Sequence, residues 1–340
     1  MKKTTKIIFS VIAAVAAVAI AFGAVVALRY GDGHAAGSVM ETASSDGQSE
    51  SASNILFLGT DREAGLCDVM MLVNVNYTDD SVTVAQIPRD TYAAYTEKSY
   101  KKLNGAYNSL GGAEQTARFL EGAMGIRIDH YICIGLDTLV AVVDAMGGVD
   151  VDLPCDMLYK DPEQGLYIDL KKGLQHLDGA LAEKFIRFRA AYAQGDLGRI
   201  DAQKMFMAAL FSKLAEDLSP ALTLKLCKAA ENVETDLSVA DMLSIGVQTL
   251  DMDKQRIRIL TLPGEELVAT ESGASYYVLS RAANEEIMER YFGRSADFDR
   301  EEVFLNDDYK SFGDAYRKYT EYDAQSLEDI TENGIKIQIK

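Results

Sequence analysis

NILFLGTDREAGLCDVMMLVNVNYTDDSVTVAQIPRD, residues 54–90, holds three apolar runs in close succession. Ile55–Leu58 stops at Gly59, as a short strand buried on both faces does. Val69–Asn76 and Ser81–Pro88 follow, parted only by the turn-forming Tyr77-Thr78-Asp79-Asp80. Connections this short leave no room for a crossover, so the three runs predict an antiparallel meander. Such a meander returns to one sheet edge: Asp61 lies past the first strand, Asp68 opens the second, and Arg89 with Asp90 follows the third. Two carboxylates at neighbouring strand ends are a natural site for Mg2+, which takes one or two carboxylates plus phosphate oxygens. Taken singly, each of these is an ordinary turn or surface residue.

Downstream the period changes from strand to helix. GGAEQTARFLEGAMG sets Ala117, Leu120 and Met124 on one face and ends at Gly125, and LDTLVAVVDAMGG places Asp137 as an N-cap and Gly147 just past the end. HYICIGL and VDVDLP read as strands between and after them, and a long helix is expected from Arg199 to about Asp217. Strands and helices interleave without a repeat or an internal linker. The expectation is one α/β domain over 54–293, a three-layer α-β-α arrangement with a central mixed sheet. Residues 294–340 are more polar and rich in tyrosine, and end in the alternating IKIQIK. They read as a small extension packed on the main domain, closing with a strand.

The opening of the chain has a different character. Ile7–Leu28 is uncharged and long enough to cross a hydrocarbon core of about 30 Å as a helix. A cleaved signal carries a shorter apolar core, so an uncleaved transmembrane anchor is expected at 7–28. Lys2, Lys3 and Lys6 precede it and Arg29 alone directly follows, which keeps residues 1–6 in the cytoplasm and places the rest outside the cell membrane. Residues 29–53, rich in Gly, Ser and Ala, read as a flexible linker. With 52 Asp and Glu against 34 Lys and Arg, the chain carries a net charge of -18, which argues against nucleic acid as a partner. Cys67, Cys133, Cys155 and Cys227 are too few and too scattered for a disulfide scaffold or a zinc site, and read as buried free thiols.

Against that acidic background RFRAAYAQGDLGRIDAQK, residues 187–204, gathers cations. Arg187 and Arg189 would share a side of an extended segment. Asp196, Arg199 and Gln203 form one stripe of a helix, and the stripe continues through Met207, Leu210 and Leu214, so Arg199 and Gln203 are expected to point inward. An inward arginine is costly unless an anion meets it, and arginine grips phosphate oxygens in pairs. A closed structural Arg–Asp network is the alternative.

With these residues in place, the chain resembles the LytR–CpsA–Psr family, membrane-anchored phosphotransferases of Gram-positive cell-wall assembly. The likeness runs from about Asn54 to Gly293. It rests on NILFLGTD, IPRDTY, KLNGAY with the following GG, DAMGGVDVDLP, LDGALAEKFIRFR, GDLGRIDAQ and LPGE…GASYYVLS, in that order. The resemblance implies a polyprenyl-pyrophosphate-linked glycopolymer of teichoic acid or capsule type as donor and a peptidoglycan hydroxyl as acceptor, with polyprenyl phosphate released. It also implies Mg2+ at Asp61 and Asp68, and pyrophosphate-binding roles for Arg89, Lys102, Arg187, Arg189 and Arg199. Asp196 and Gln203 fall on its remaining polar positions, Gln203 with a pyrophosphate-binding role, and Asp90 or Asp196 would orient or deprotonate the acceptor hydroxyl.

The chain departs from the family pattern where Leu66-Cys67 replaces Arg-Ser before Asp68, where the loop from Asp61 to Asp68 is short, and at Ala202, where an arginine commonly stands. A non-catalytic lipid-pyrophosphate sensor and a lipid pyrophosphatase therefore stand beside the transferase.

Overall fold

The computed structural model describes residues 52–340, apart from 62–64, 97–100, 163–164, 217–218, 230–231, 239–240, 243–244, 246–251, 270–271, 294–297 and 306–309. The anchor expected at 7–28 lies outside the described residues, among which no helix is long and apolar enough to cross a membrane. β1 (Ala52–Asp61) pairs with β2 (Leu66–Asn76) and β2 with β3 (Ser81–Ile87), both antiparallel, so the meander stands as expected.

Helices α1 (Ala106–Leu110) and α2 (Ala113–Met124) lead to β4 (His130–Gly135) and α3 (Leu136–Ala145). Two side hairpins follow, built from β5 (Val149–Leu153), β6 (Met157–Asp161), β7 (Leu166–Leu170) and β8 (Gly173–Leu177). Next come α4 (Gly179–Arg187), α5 (Asp196–Glu216), α6 (Pro220–Ala229), the short β9 (Glu234–Thr235) and β10 (Ile257–Thr261). A hairpin of β11 (Gly264–Val268) and β12 (Ser275–Leu279) precedes α7 (Arg281–Phe292), α8 (Lys310–Arg317), β13 (Gln325–Ser326) and α9 (Leu327–Asn333). The central sheet runs β13-β10-β3-β2-β1-β4-β9. It is mixed, with β4 parallel to β1 and β10 parallel to β3.

Strand alternation sorts the core into two layers. Ile55, Phe57, Met71 and Val84 face one side, where Val142 of α3, Phe185 of α4, Phe206 and Leu210 of α5 and Ile330 of α9 cover them. Leu56, Leu58, Met70 and Ala85 face the other, under Leu120 of α2, Ile287 of α7 and Phe312 of α8. Each fully buried large apolar side chain here contributes about 2 kcal/mol by removal from water.

The alternation breaks once, where it matters for the site. Gly59 stands opposite Val69 and Thr60 opposite Cys67, which leaves Asp68 as the extra residue of a β-bulge. Cys67 and Met70 consequently both join the second face although three residues apart.

Three local expectations need correction. The N-cap of α3 is Gly135, in extended backbone; Asp137 sits inside the first turn, where its charge still favours the helix N-terminus. α5 begins at Asp196, three residues before the expected start. IKIQIK joins no sheet: it meets residues 190–193 through the isolated bridge Tyr192–Ile339, because that loop turns too tightly to offer a longer edge. Cys67, Cys133 and Cys155 are buried and form no disulfide among the described residues, as expected, while the side chain of Cys227 lies outside the described residues.

Candidate anion site at the meander edge

Pro88, which has no N–H to continue a ladder, ends β3, and its carbonyl accepts from Thr91 N at 3.0 Å and Thr91 Oγ1 at 2.6 Å. The turn is clamped from outside: Asn104 N donates to Arg89 O at 3.0 Å and Leu103 N to Thr91 O at 2.8 Å. Tyr277 of β12 binds both flanks of Thr91, its N donating to Asp90 O and its O accepting from Tyr92 N, each at 2.8 Å. Arg89 is thereby fixed with its side chain only 4% exposed.

Its guanidinium sits among three carboxylates. Nη1 donates to Asp68 Oδ1 at 2.6 Å, and Nε lies 3.4 Å from Asp196 Oδ1 and 3.6 Å from Asp90 Oδ1. Asp196 in turn meets Arg199 Nη2 at 2.5 Å and Arg189 Nη1 at 4.0 Å, while Lys102 Nζ reaches Asp90 Oδ2 at 3.0 Å. A bulge, a strand end and the first turn of a helix thus build one alternating row: Asp68, Arg89, Asp196, Arg199.

The two central arginines differ electrostatically. Burial opposes the charge of Arg89, yet Asp196, Asp68 and Asp90 outweigh it and hold its pKa above the ordinary value. Arg199 is fully buried and has mainly Asp196 to offset that burial, so its pKa is pushed down to about 10. It remains a cation at neutral pH with too little compensating charge around it. Its Nε and Nη1, and Nε of Arg89, find no hydrogen-bond acceptor among the described residues. Such a site favours a polyanion.

The remaining expected residues are placed as follows. Arg187 closes α4 and donates to Glu183, one turn back, at 2.5 Å, so it does not share an extended segment with Arg189: the helix runs one residue too far. Arg189 is the most open of the four site arginines, at 43% exposed. Gln203 is buried as expected; its Oε1 accepts from Gln86 Nε2 at 2.9 Å and its Nε2 donates to Ile186 O at 3.5 Å, a link from α5 to the sheet and to α4. Met207, Leu210 and Leu214 continue its stripe into the core. The backbone of Asp61 pairs opposite Leu66, two residues from Asp68, and its side chain lies outside the description. Among the described residues no group of three or more His, Cys, Asp or Glu forms a metal cage.

Three residues escaped the sequence reading. Gln86 shares the inner face with Val82 and Val84, and a polar residue at that parity was the available signal. Glu266 of β11, opposite Tyr277, stands at the exposed rim; desolvation and then the charges of Asp196 and Asp90 raise its pKa, against Lys102. Only hairpin docking brings it there. Tyr192, inside the arginine-rich stretch, is completely buried.

The LytR_cpsA_psr family model matches residues 29–292. The polyisoprenyl-teichoic acid–peptidoglycan teichoic acid transferase TagV of Bacillus subtilis is 32% identical over 234 residues, covering 66% of this chain and 60% of its own length. The matched part is thus less than two thirds of that relative. The like-named transferase TagU of Oceanobacillus iheyensis is 32% identical over 248 residues, 67% of this chain and 72% of that protein. The crystal structure of B. subtilis TagV superposes with a TM-score of 0.60 at 28% identity, over 71% of this chain and 96% of that one. With the meander, the mixed sheet and the family model in agreement over most of its length, this chain belongs to the LytR–CpsA–Psr family.

Proposed function

We propose that this chain is a membrane-anchored, extracytoplasmic phosphotransferase. It moves a glycopolymer from a polyprenyl pyrophosphate carrier to a peptidoglycan hydroxyl and releases polyprenyl phosphate. The observation that carries the reading is the buried row Asp68–Arg89–Asp196–Arg199, whose last cation is undercompensated and has two N–H donors without an acceptor. Relatives named as teichoic acid transferases support the polymer class. The apolar run at 7–28 supports the anchor and its orientation.

Asp61 and Asp68 would hold Mg2+. The residue types suit it, since both are hard carboxylate ligands at adjoining ends of one hairpin, with Asp68 at the bulge beside Arg89. Bound there, Mg2+ supplies Lewis-acid charge to pyrophosphate oxygens. Arg199 and Arg89 hold the pyrophosphate by paired N–H donors, with Arg189 and Lys102 at the open side. The acceptor hydroxyl attacks the sugar-side phosphorus in line; the new O–P bond forms as the bond to the bridging oxygen breaks, and that oxygen leaves with the lipid phosphate. Asp90 or Asp196 takes the hydroxyl proton. Each carboxylate is already held by cations, which fixes its orientation for that task. Keeping the arginines rigid before substrate arrives lowers reorganisation in the transition state.

The test uses the full chain in detergent, a polyprenyl-pyrophosphate glycan and peptidoglycan fragments, with and without Mg2+. Joined product and free polyprenyl phosphate are expected, at least about 100-fold less in Arg89→Ala, which removes the cation set among Asp68, Asp90 and Asp196. Polyprenyl phosphate without joined product would make the protein a pyrophosphatase. Tight binding with neither product would make it a sensor.

A further inference from the structure

The loop between Arg189 and Asp196 is built from successive tight turns. Tyr192 N donates to Arg189 O at 3.1 Å, and Gly195 N donates to Tyr192 O at 3.1 Å. On its other edge the loop is bound by the C-terminal tail, with Ala193 N donating to Gln338 O at 2.8 Å and Lys340 N to Ala191 O at 2.9 Å. Tyr192 is the residue these contacts immobilise. Its ring packs edge-on against Phe188, with centroids 5.4 Å apart. It also packs closely against the first turn of α5, where a Cβ on Gly198 would fall 2.7 Å from Tyr192 Cβ. Gly198 is therefore needed for that approach, and it directly precedes Arg199.

So fixed a side chain should have its polar end satisfied. Yet the Tyr192 hydroxyl, in a residue 0% exposed, has no hydrogen-bond partner among the described residues. A buried hydroxyl left unmatched is destabilising, and buried tyrosine hydroxyls normally find partners. On the two central arginines the unmatched atoms are donors too: Nε and Nη1 of Arg199 and Nε of Arg89. One acceptor-rich anion would satisfy several of them together. The hydroxyl is suited to donate, because burial, and after it Cys155, raise its pKa against the pull of Arg199, so it keeps its proton at neutral pH.

We propose that the Tyr192 hydroxyl is a binding group for the pyrophosphate of the lipid-linked donor, giving a hydrogen bond to a phosphate oxygen that Arg199 also holds. The inference rests on the donor class named under Proposed function and adds a residue to its recognition. The ring itself lies among apolar side chains, Phe188 and the first-face core.

The experiment is calorimetric titration of the full chain in detergent with farnesyl pyrophosphate and Mg2+, beside thermal unfolding without ligand, for the parent, Tyr192→Phe and Arg89→Ala. Tyr192→Phe is expected to bind about tenfold more weakly, the worth of one hydrogen bond to a charged group. Its unliganded melting temperature should equal or exceed the parent's, because phenylalanine removes an unmatched buried polar group. Parent-like affinity in Tyr192→Phe, with binding abolished in Arg89→Ala, overturns this inference and leaves the donor class standing. A lowered melting temperature in Tyr192→Phe overturns it as well, by showing the hydroxyl bonded in the unliganded protein. No binding by the parent overturns the donor class itself.

Discussion

Asp196 Oδ1 is approached by three guanidinium groups, from Arg89, Arg199 and Arg189. Asp196→Asn keeps the shape and removes the charge that offsets them. Breaking a buried ion network from one side costs about 3–5 kcal/mol, so denaturant titration should show a loss near the lower figure, since Asp196 is partly open. Added pyrophosphate should recover part of it, because an anion bound only by the folded state replaces the missing charge. Gln203 calls for a different test. Its carboxamide is spent on Gln86 and Ile186 O. Gln203→Leu alone should destabilise by about 1–2 kcal/mol by stranding Gln86 Nε2, and Gln86→Leu with Gln203→Leu should return much of that. If the double variant also transfers polymer at the parent rate, Gln203 ties α5 to the sheet and does not bind substrate.

The elements that carry the site are held by parts of the chain far from it in sequence. The β11–β12 hairpin fixes the turn after β3 through Tyr277, and the C-terminal tail fixes the loop before α5 through residues 338–340. Ile335 and Ile337 add apolar contact to the first-face core. Deletion of 335–340 should lower the melting temperature by a few degrees and weaken farnesyl pyrophosphate binding about fivefold, because the loop bearing Arg189 and Tyr192 loses its ordered partner. Unchanged affinity in that truncation would make the strap a stability element alone. The tail lies beyond residues 29–292, the part the family model matches, so this support belongs to the chain's own extension.

At the scale of the molecule, the extension is wedged into the second face. Asp299 is fully buried at φ +52°, its N donating to Ala123 O of α2 and its carboxylate accepting from Phe304 N at 3.0 and 3.2 Å. Burial, against those hydrogen bonds, raises its pKa to about 6. A carboxyl with a raised folded-state pKa stabilises the fold fully below its ordinary value near 4, and that stability is lost as pH rises through about 6. Between those limits the unfolding free energy should fall by about 2 kcal/mol, and Asp299→Asn should flatten the slope in denaturant titrations at stepped pH.

The sequence by itself determined the meander, because apolar runs joined by short turns leave one pairing, and it determined the inward stripe Asp196–Arg199–Gln203–Met207, because helical period is a local property. Local period also marked both faces of the sheet. What only the tertiary structure decided is which charges meet. The bulge at Asp68 depends on the register between two strands, the Arg89–Asp196 contact joins residues from β3 and α5, and Tyr192 is trapped by Gly198 and the tail together. Such contacts carry no signature in spacing, since burial and charge pairing are properties of surfaces that exist only once the elements have packed.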